Sequence, residues 1–337
     1  MNRRFCVTLL LAATLALSSF RVAEAEATLK IRIAWTVPVA NWASILLAKK
    51  ELARHLGQSY SLETVHFGGT PEMITALATG DVDIADLAYS SLGLAIENAG
   101  MNDLRIIGDE LQDGVDGYYS QEFMVLNDSG IAKVEDLKGR VLAVNAAGSA
   151  VDIALRAMLR EHGLDDRKDV TIVEAGFPNM KAMLLGKKAD LVTEVLPFAA
   201  DPGLREKAHD LFLQKEAIGS AQMLVWTARA RFLAEHRAAM VDFMEDTLRI
   251  VHFYLDPAHH AEAVRIAAAL TKQPPQRFDA WLFTKADYYR DPNLIPNLDA
   301  LQANLDTQQR LGLLKAGIDV KRYAELGIVR EAARRLK

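Results

Sequence analysis

The chain predicts an α/β protein of two doubly wound lobes joined by a hinge, and three observations predict it. From residue 29, apolar strand-like runs alternate with stretches of helical period; near residue 141 the alternation begins again; and one residue pattern recurs at the same step of both runs. In the first run strands are expected over 29–35, 61–67, 82–88 and 104–108, with helices over 42–56, 70–78 and 90–98 between them. In the second, strands over 141–144, 170–174 and 189–195 enclose helices over 151–161 and 179–185. The shared pattern is P-x-M-x3-L-x5-D, met as Pro71, Met73, Leu77, Asp83 and as Pro178, Met180, Leu184, Asp190. Proline early in a helix followed by apolar residues down one face is common, so the weight lies in its placement rather than its composition.

Two extended segments, 111–126 and 213–226, flank the second run and are read as crossings out of the first lobe and back. Beyond Trp226 helices are expected over 231–255, 260–270, 275–285, 298–314 and 320–335, as a cap on the first lobe. The expected division is a signal peptide over 1–25, the first part of lobe 1 over 26–117, lobe 2 over 118–222, and the return to lobe 1 with the C-terminal helices over 223–337. Paired crossings make a hinge, and ligands of open α/β sheets bind at the carboxyl ends of the parallel strands.

Arg3 and Arg4 ahead of the apolar run 7–17, with Ala23-Glu24-Ala25, form a secretory signal pattern; cleavage is expected after Ala25, with Ala27 a second candidate. No stretch is long and apolar enough to span a bilayer. The single cysteine, Cys6, departs with the signal, which excludes thiol catalysis, disulfides and thiolate metal sites in the exported chain. Residues 1–25 carry Arg3, Arg4, Arg21 and Glu24, a net +2, so the formal charge of −5 becomes −7. Nucleic acid and anionic membrane are disfavoured as partners. A small anion is not, because a local group of amides outweighs a diffuse negative surface.

The best candidate for such a group follows the strand at 141–144. Gly148-Ser149 leads into Val151, Ile153, Ala154, Ala157 and Met158 at helical spacing, with Ser149 as N-cap. The remaining first-turn amides and the positive end of the helix dipole favour a negative group there. The plainer reading is a capped strand-turn-helix.

Four segments resemble the periplasmic substrate-binding proteins of ABC importers for nitrate, sulfonates, taurine and thiamine precursors. Asp136-Leu137-Lys138-Gly139-Arg140 and the turn ending at Ser149 resemble the family's D-L-K-G-K/R strand and glycine-serine turn. The stretch 69–83 is similar to its A-L-x-x-G-x-x-D helix and strand, 190–198 to its D-x5-D/E-P-Y/F segment, and 328–332 to its V-x-E-A ending. The likeness implies a type II periplasmic-binding-protein fold that closes on a small anionic organic ligand and delivers it to an ABC permease and its ATPase. It implies a periplasmic monomer, not inserted in the membrane, with no catalysis, cofactor or metal.

Carried over by position, the resemblance implies a pocket lined by Trp35, Asn41, Trp42, Gly69, Thr70, Tyr89 and Ser90 from lobe 1, and by Asn145, Gly148, Ser149, Leu196 and Pro197 from lobe 2. Ser149 and nearby amides would hold the anionic group, helped by Thr70 or Ser90, while Trp35, Trp42 and Tyr89 would form an apolar wall. Leu196 stands where many relatives carry an acid, which speaks against a cationic amine on the ligand; strand alternation turns the neighbouring Glu194 away. An anion with an apolar or aromatic body, a sulfonate or carboxylate, fits best.

Two other readings stay open. Thiamine-pyrimidine synthases of this fold use histidine and iron, but the densest histidine group here, His252, His259, His260 and Glu262, lacks H-E-x-x-H spacing and is read as a solvated cluster. A sensor subunit would share fold and pocket.

Overall fold

The computed structural model describes residues 28–336; the expected signal segment lies outside the described residues. The chain begins with β1 (Leu29–Trp35), β2 (Tyr60–His66), α1 (Thr70–Thr79), β3 (Ile84–Ala88), α2 (Tyr89–Glu97) and β4 (Leu104–Asp113). It then crosses to β5 (Glu122–Leu126), β6 (Val141–Val144), α3 (Ala150–Glu161), β7 (Thr171–Glu174), α4 (Phe177–Leu185), β8 (Leu191–Glu194), α5 (Pro202–Arg205) and β9 (Ala208–Leu213). The return runs through α6 (Gln214–Ile218) and β10 (Ala221–Arg229) into α7 (Ala230–Glu235), α8 (Arg237–Leu255), α9 (His260–Thr271), α10 (Leu298–Arg310) and α11 (Gly327–Arg335).

The strands form two five-stranded sheets, in the orders β2-β1-β3-β10-β4 and β7-β6-β8-β5-β9. Each has a parallel trio at one side and, in fourth place, a strand that enters antiparallel from a crossing: β10 pairs antiparallel with β3 and β4, and β5 with β8 and β9. Both sheets are therefore mixed, each parallel trio being extended by a crossing strand that enters antiparallel. The extended segment expected over 213–226 is also interrupted by α6, whose Gln214 amide donates to the Gln121 carbonyl and ties the two crossings together.

Strand alternation explains how both faces are covered. On β5, Phe123 and Val125 enter one lobe-2 core with Leu142, Val151 and Leu155, while Met124 and Leu126 enter the opposite core with Met180, Leu184 and Val192. The largest core packs α8, α9, α10 and α11 with the first sheet and runs on into Ala150, Ile153, Val195 and Leu196 of the second lobe.

The repeated pattern has a physical basis. Met73, Leu77, Met180 and Leu184 are buried, and each terminal aspartate ties a parallel strand of its lobe, Asp83 the middle of β1 and Asp190 the start of β6. Asp83 accepts from the Arg32 amide (2.8 Å) and binds its guanidinium at 2.7 and 2.9 Å; Asp190 accepts from the Val141 amide (2.9 Å) and Arg140 (3.4 Å).

Several helical expectations fail locally. The stretch 42–56 is two short 3-10 segments, Trp42–Ser44 and Leu46–Leu52, because Ile45 and Lys49 leave helical geometry. The stretch 275–285 keeps only one 3-10 turn, Pro275–Arg277, before a series of turns. Among the described residues no helix is long and apolar enough to cross a membrane.

Candidate functional site

A cavity with about 450 Å³ of free space, partly open to solvent, lies between the lobes at the carboxyl ends of the parallel strands. Four helices start at its edge: α1 after β2, α2 after β3, α3 after β6 and α4 after β7, with Thr70, Ala88, Ser149 and Phe177 on its wall. Their positive ends converge there. The side chains that line it include no carboxylate, amine, guanidinium or imidazole, and its one ionisable group, the Tyr288 hydroxyl, is pushed up by burial.

The N-terminus of α3 is built for an acceptor. Ser149 caps it by accepting from the Asp152 amide (3.4 Å), and Asp152, paired with Arg156 at 2.9 Å, accepts from the Gly148 amide (2.8 Å). The Ala150 and Val151 amides are left without an internal partner, and both residues line the cavity.

On the lobe-1 side the wall is the loop 36–41. Asn41 Oδ1 accepts from the Thr36 amide (3.0 Å), the Thr36 hydroxyl (3.0 Å) and the Val37 amide (2.6 Å). Val39 sits at φ 69°, a costly conformation for a β-branched residue. Ser44 Oγ accepts from its amide, and buried Arg290 donates to the Ala40 carbonyl (3.0 Å).

Behind this loop lies a set of buried acids. Glu110, which accepts from the Trp42 amide, is pushed up to about 8, chiefly by burial. Asp109 is pushed up to about 7 by burial, opposed by the Gln222 side chain (2.6 Å) and the Asp291 amide (2.9 Å). Asp86, with both oxygens unpartnered, is driven well upward by burial and then by Glu110 and Asp109.

Of the positions expected at the pocket, Asn41, Thr70, Asn145, Ser149 and Leu196 line the cavity. Gly69 and Gly148 sit where the lobes touch. A Cβ on Gly69 would lie 2.8 Å from the Ala146 Cβ, and one on Gly148 3.0 Å from Leu94. Tyr89 is buried, and its hydroxyl donates across the lobes to the Ala150 carbonyl (2.9 Å). Further links are Asn145 Nδ2 to the Gly68 carbonyl (3.3 Å) and Arg277 to Asp201 (2.8 Å), so the lobes stand closed on each other.

The expected aromatic wall does not form. Trp42 is fully buried in the lobe-1 core, stacked on Phe283 at 5.4 Å with Arg290 over its ring. Trp35 packs its edge against His66. Neither these residues nor Tyr89, Ser90 or Gly148 line the cavity, and Pro197 lines a separate inter-lobe groove. The aromatics that do reach the wall are Phe177 and Tyr288. Phe177 stands before Pro178 as Thr70 stands before Pro71, so the internal repeat carried a signal for it. Gln121, Met223 and Tyr288 come from crossings and a turn segment and had no such signal.

Glu194 is buried with both oxygens unpartnered and is pushed up to about 8 by burial and then by Glu122, its partner across β5 and β8. It does not line the cavity. His55, Asp242 and Glu245 come close enough to hold a cation, a grouping that reading the histidines singly missed. Its two ring nitrogens face different carboxylates, Nδ1 at 3.8 Å from Asp242 and Nε2 at 3.5 Å from Glu245, while Arg335 and Arg249 take the same acids. That is an ion-pair network, and it too lies away from the cavity.

Solved structures of similar fold include the alkanesulfonate-binding protein SsuA from Xanthomonas axonopodis pv. citri bound to MOPS, at 18% identity over 88% of this chain and 98% of that one, TM-score 0.68. The periplasmic nitrate-binding protein NrtA from Synechocystis PCC 6803 is similar at 13% identity over 92% and 90%, TM-score 0.72. The desulfurization enzyme DSZB is similar at 16% identity over 92% and 100%, TM-score 0.64. No curated protein matches the sequence. The two open sheets and the cleft between them are the type II periplasmic-binding-protein fold. With residues 24–268 matching that family's profile, the chain belongs to the NMT1-like family.

Proposed function

We propose that the chain is the periplasmic solute-binding component of an ABC importer. It captures a small organic anion between its lobes and presents the closed form to a permease and its ATPase. The observation that carries this reading is the inter-lobe cavity in which four helix N-termini converge, with no charged side chain among the described residues on its wall. An anion there is held by the Ala150 and Val151 amides and the Ser149 hydroxyl, and the apolar body lies against Phe177, Leu196 and Met223. Absence of a lining carboxylate leaves a cationic ligand with no counter-charge.

The lobes divide near residues 118 and 222, and their opening and closing about the paired crossings is the working motion. Ligand stabilises the closed form because only that form brings α3 opposite α1 and the loop 36–41. Catalysis finds no nucleophile-base pair on the wall.

Thermal-shift and calorimetric titration of the chain from residue 26 with alkanesulfonates, arylsulfonates, aliphatic and aromatic carboxylates and nitrate tests the reading. A ligand at a hundred times its Kd adds about 2.7 kcal/mol to stability. A raised midpoint with an organic anion, recovered chemically unchanged, is expected. Failure of every anion to bind, or its conversion to product, overturns the proposal.

A further inference from the structure

The wall offers donors to an anion, among them the unpartnered Asn41 Nδ2, but it also carries acceptors that a bare oxyanion cannot satisfy. The inference rests on the reading of this cavity as the ligand site, and two amide side chains on its wall carry it. Asn145 donates from Nδ2 to the Gly68 carbonyl at 3.3 Å. That contact fixes its orientation, since the opposite flip would set oxygen against oxygen. Asn145 Oδ1 is thus an acceptor, shut from solvent and without a partner.

Gln121 is 5% exposed, and its Oε1 is likewise buried and unpartnered, while Nε2 lies 3.4 Å from the Tyr288 hydroxyl. Its backbone is clamped at the hinge. The amide donates to Asp113 (2.7 Å) and the carbonyl accepts from Gln214 (2.8 Å), which holds Gln121 at the wall. A buried acceptor left bare costs about 1–3 kcal/mol. Nitrate and unsubstituted alkanesulfonates present acceptors only, and they would leave both oxygens bare in the closed form.

We infer that the ligand is a hydroxylated or N–H-bearing organic acid, whose anionic end meets the first-turn amides of α3 and whose neutral donors reach Asn145 Oδ1 and Gln121 Oε1. Discrimination then comes from the unpaired acceptors, which penalise a donor-free analogue by more than an apolar wall penalises a missing methylene.

Calorimetry on the exported full chain with two matched pairs tests this: 2-hydroxyethanesulfonate against ethanesulfonate, and 3,4-dihydroxybenzoate against benzoate. In at least one pair the hydroxylated member is expected to bind about tenfold tighter or better. Gln121→Met and, separately, Asn145→Ala are expected to bring that ratio toward one. If the donor-free members bind as tightly as their partners, or if the ratio survives both substitutions, this inference falls while the anion-binding reading stands. If none of the four binds while another anion of the wider panel does, this inference falls alone; if no anion binds, both fall together.

Discussion

Gly69 has φ −162°, extended backbone open to any residue, so its lack of a side chain serves only the approach of Ala146 from the other lobe. Gly69→Ala therefore acts on closure alone. Overpacking of this kind costs about 1–3 kcal/mol, so affinity should fall about 5- to 160-fold with the midpoint of the ligand-free protein unchanged. A drop in that midpoint as large as the loss of binding would show that the position serves the lobe itself. Trp42 behaves oppositely: Trp42→Ala removes a fully buried core side chain and should cost about 3–5 kcal/mol of stability in denaturant unfolding. Ser149→Asp keeps a good cap but sets a carboxylate beside the free amides. Calorimetry should show an anionic ligand bound at least about a hundredfold more weakly, with the fold retained.

At the level of elements, strand ends were the legible part of the site. Asn41, Thr70, Asn145, Ser149 and Leu196 follow parallel strands, and period alone marks where such strands stop. What could not be read was direction. A helix over 42–56 would have turned Trp42 differently, but 3-10 segments broken at Ile45 and Lys49 send it into the core, and helix propensity carries no sign of that break. Gln121 and Tyr288 reach the wall only through contacts far apart in sequence. The fold followed the same rule: the local β and α units and their repetition were visible, whereas the antiparallel insertion of β5 and β10 depends on pairings across the whole chain.

Between elements, Arg277 on the turn after α9 meets Asp201 at the start of α5, which also accepts from Lys181 (2.7 Å) and the Leu204 amide (3.1 Å). Asp201 is held down to about 2, burial being outweighed by Lys181 and then Arg277. The pair bridges the lobes, so Arg277→Met should weaken ligand binding by about 1.5- to 5-fold, as for a partly exposed ion pair of about 0.2–1 kcal/mol. The loss should shrink in high salt, where screening already weakens the wild-type pair. An equal loss at all salt concentrations would assign the residue a packing role.

Across the whole molecule the buried acids set an unusual pH dependence. Asp109, Asp113 and Glu122 are pushed up to about 7, and Glu110 and Glu194 to about 8, in every case chiefly by burial. A carboxyl whose folded pKa exceeds its unfolded value, about 4, binds more protons folded than unfolded. Its stabilisation is complete below about pH 4 and is lost as pH rises through about 7 to 8. Asp201 runs the other way, contributing above about pH 4 and losing its effect as pH falls through about 2. Over the span from about pH 5 to 8 only the first group titrates. The midpoint of thermal unfolding should therefore be several degrees lower at about pH 8.5 than at about pH 6. A flat or rising profile would mean these acids have charged partners or water in solution.

The placement of β10 between β3 and β4 also orders events during synthesis. Lobe 2 is drawn from one uninterrupted stretch and has all its strands as soon as β9 has emerged. The other sheet has a gap that only residues after 220 can fill, so β4 waits without a neighbour while the intervening lobe is made. The gap therefore stays open until Arg229, about two-thirds of the way along the chain, has been made.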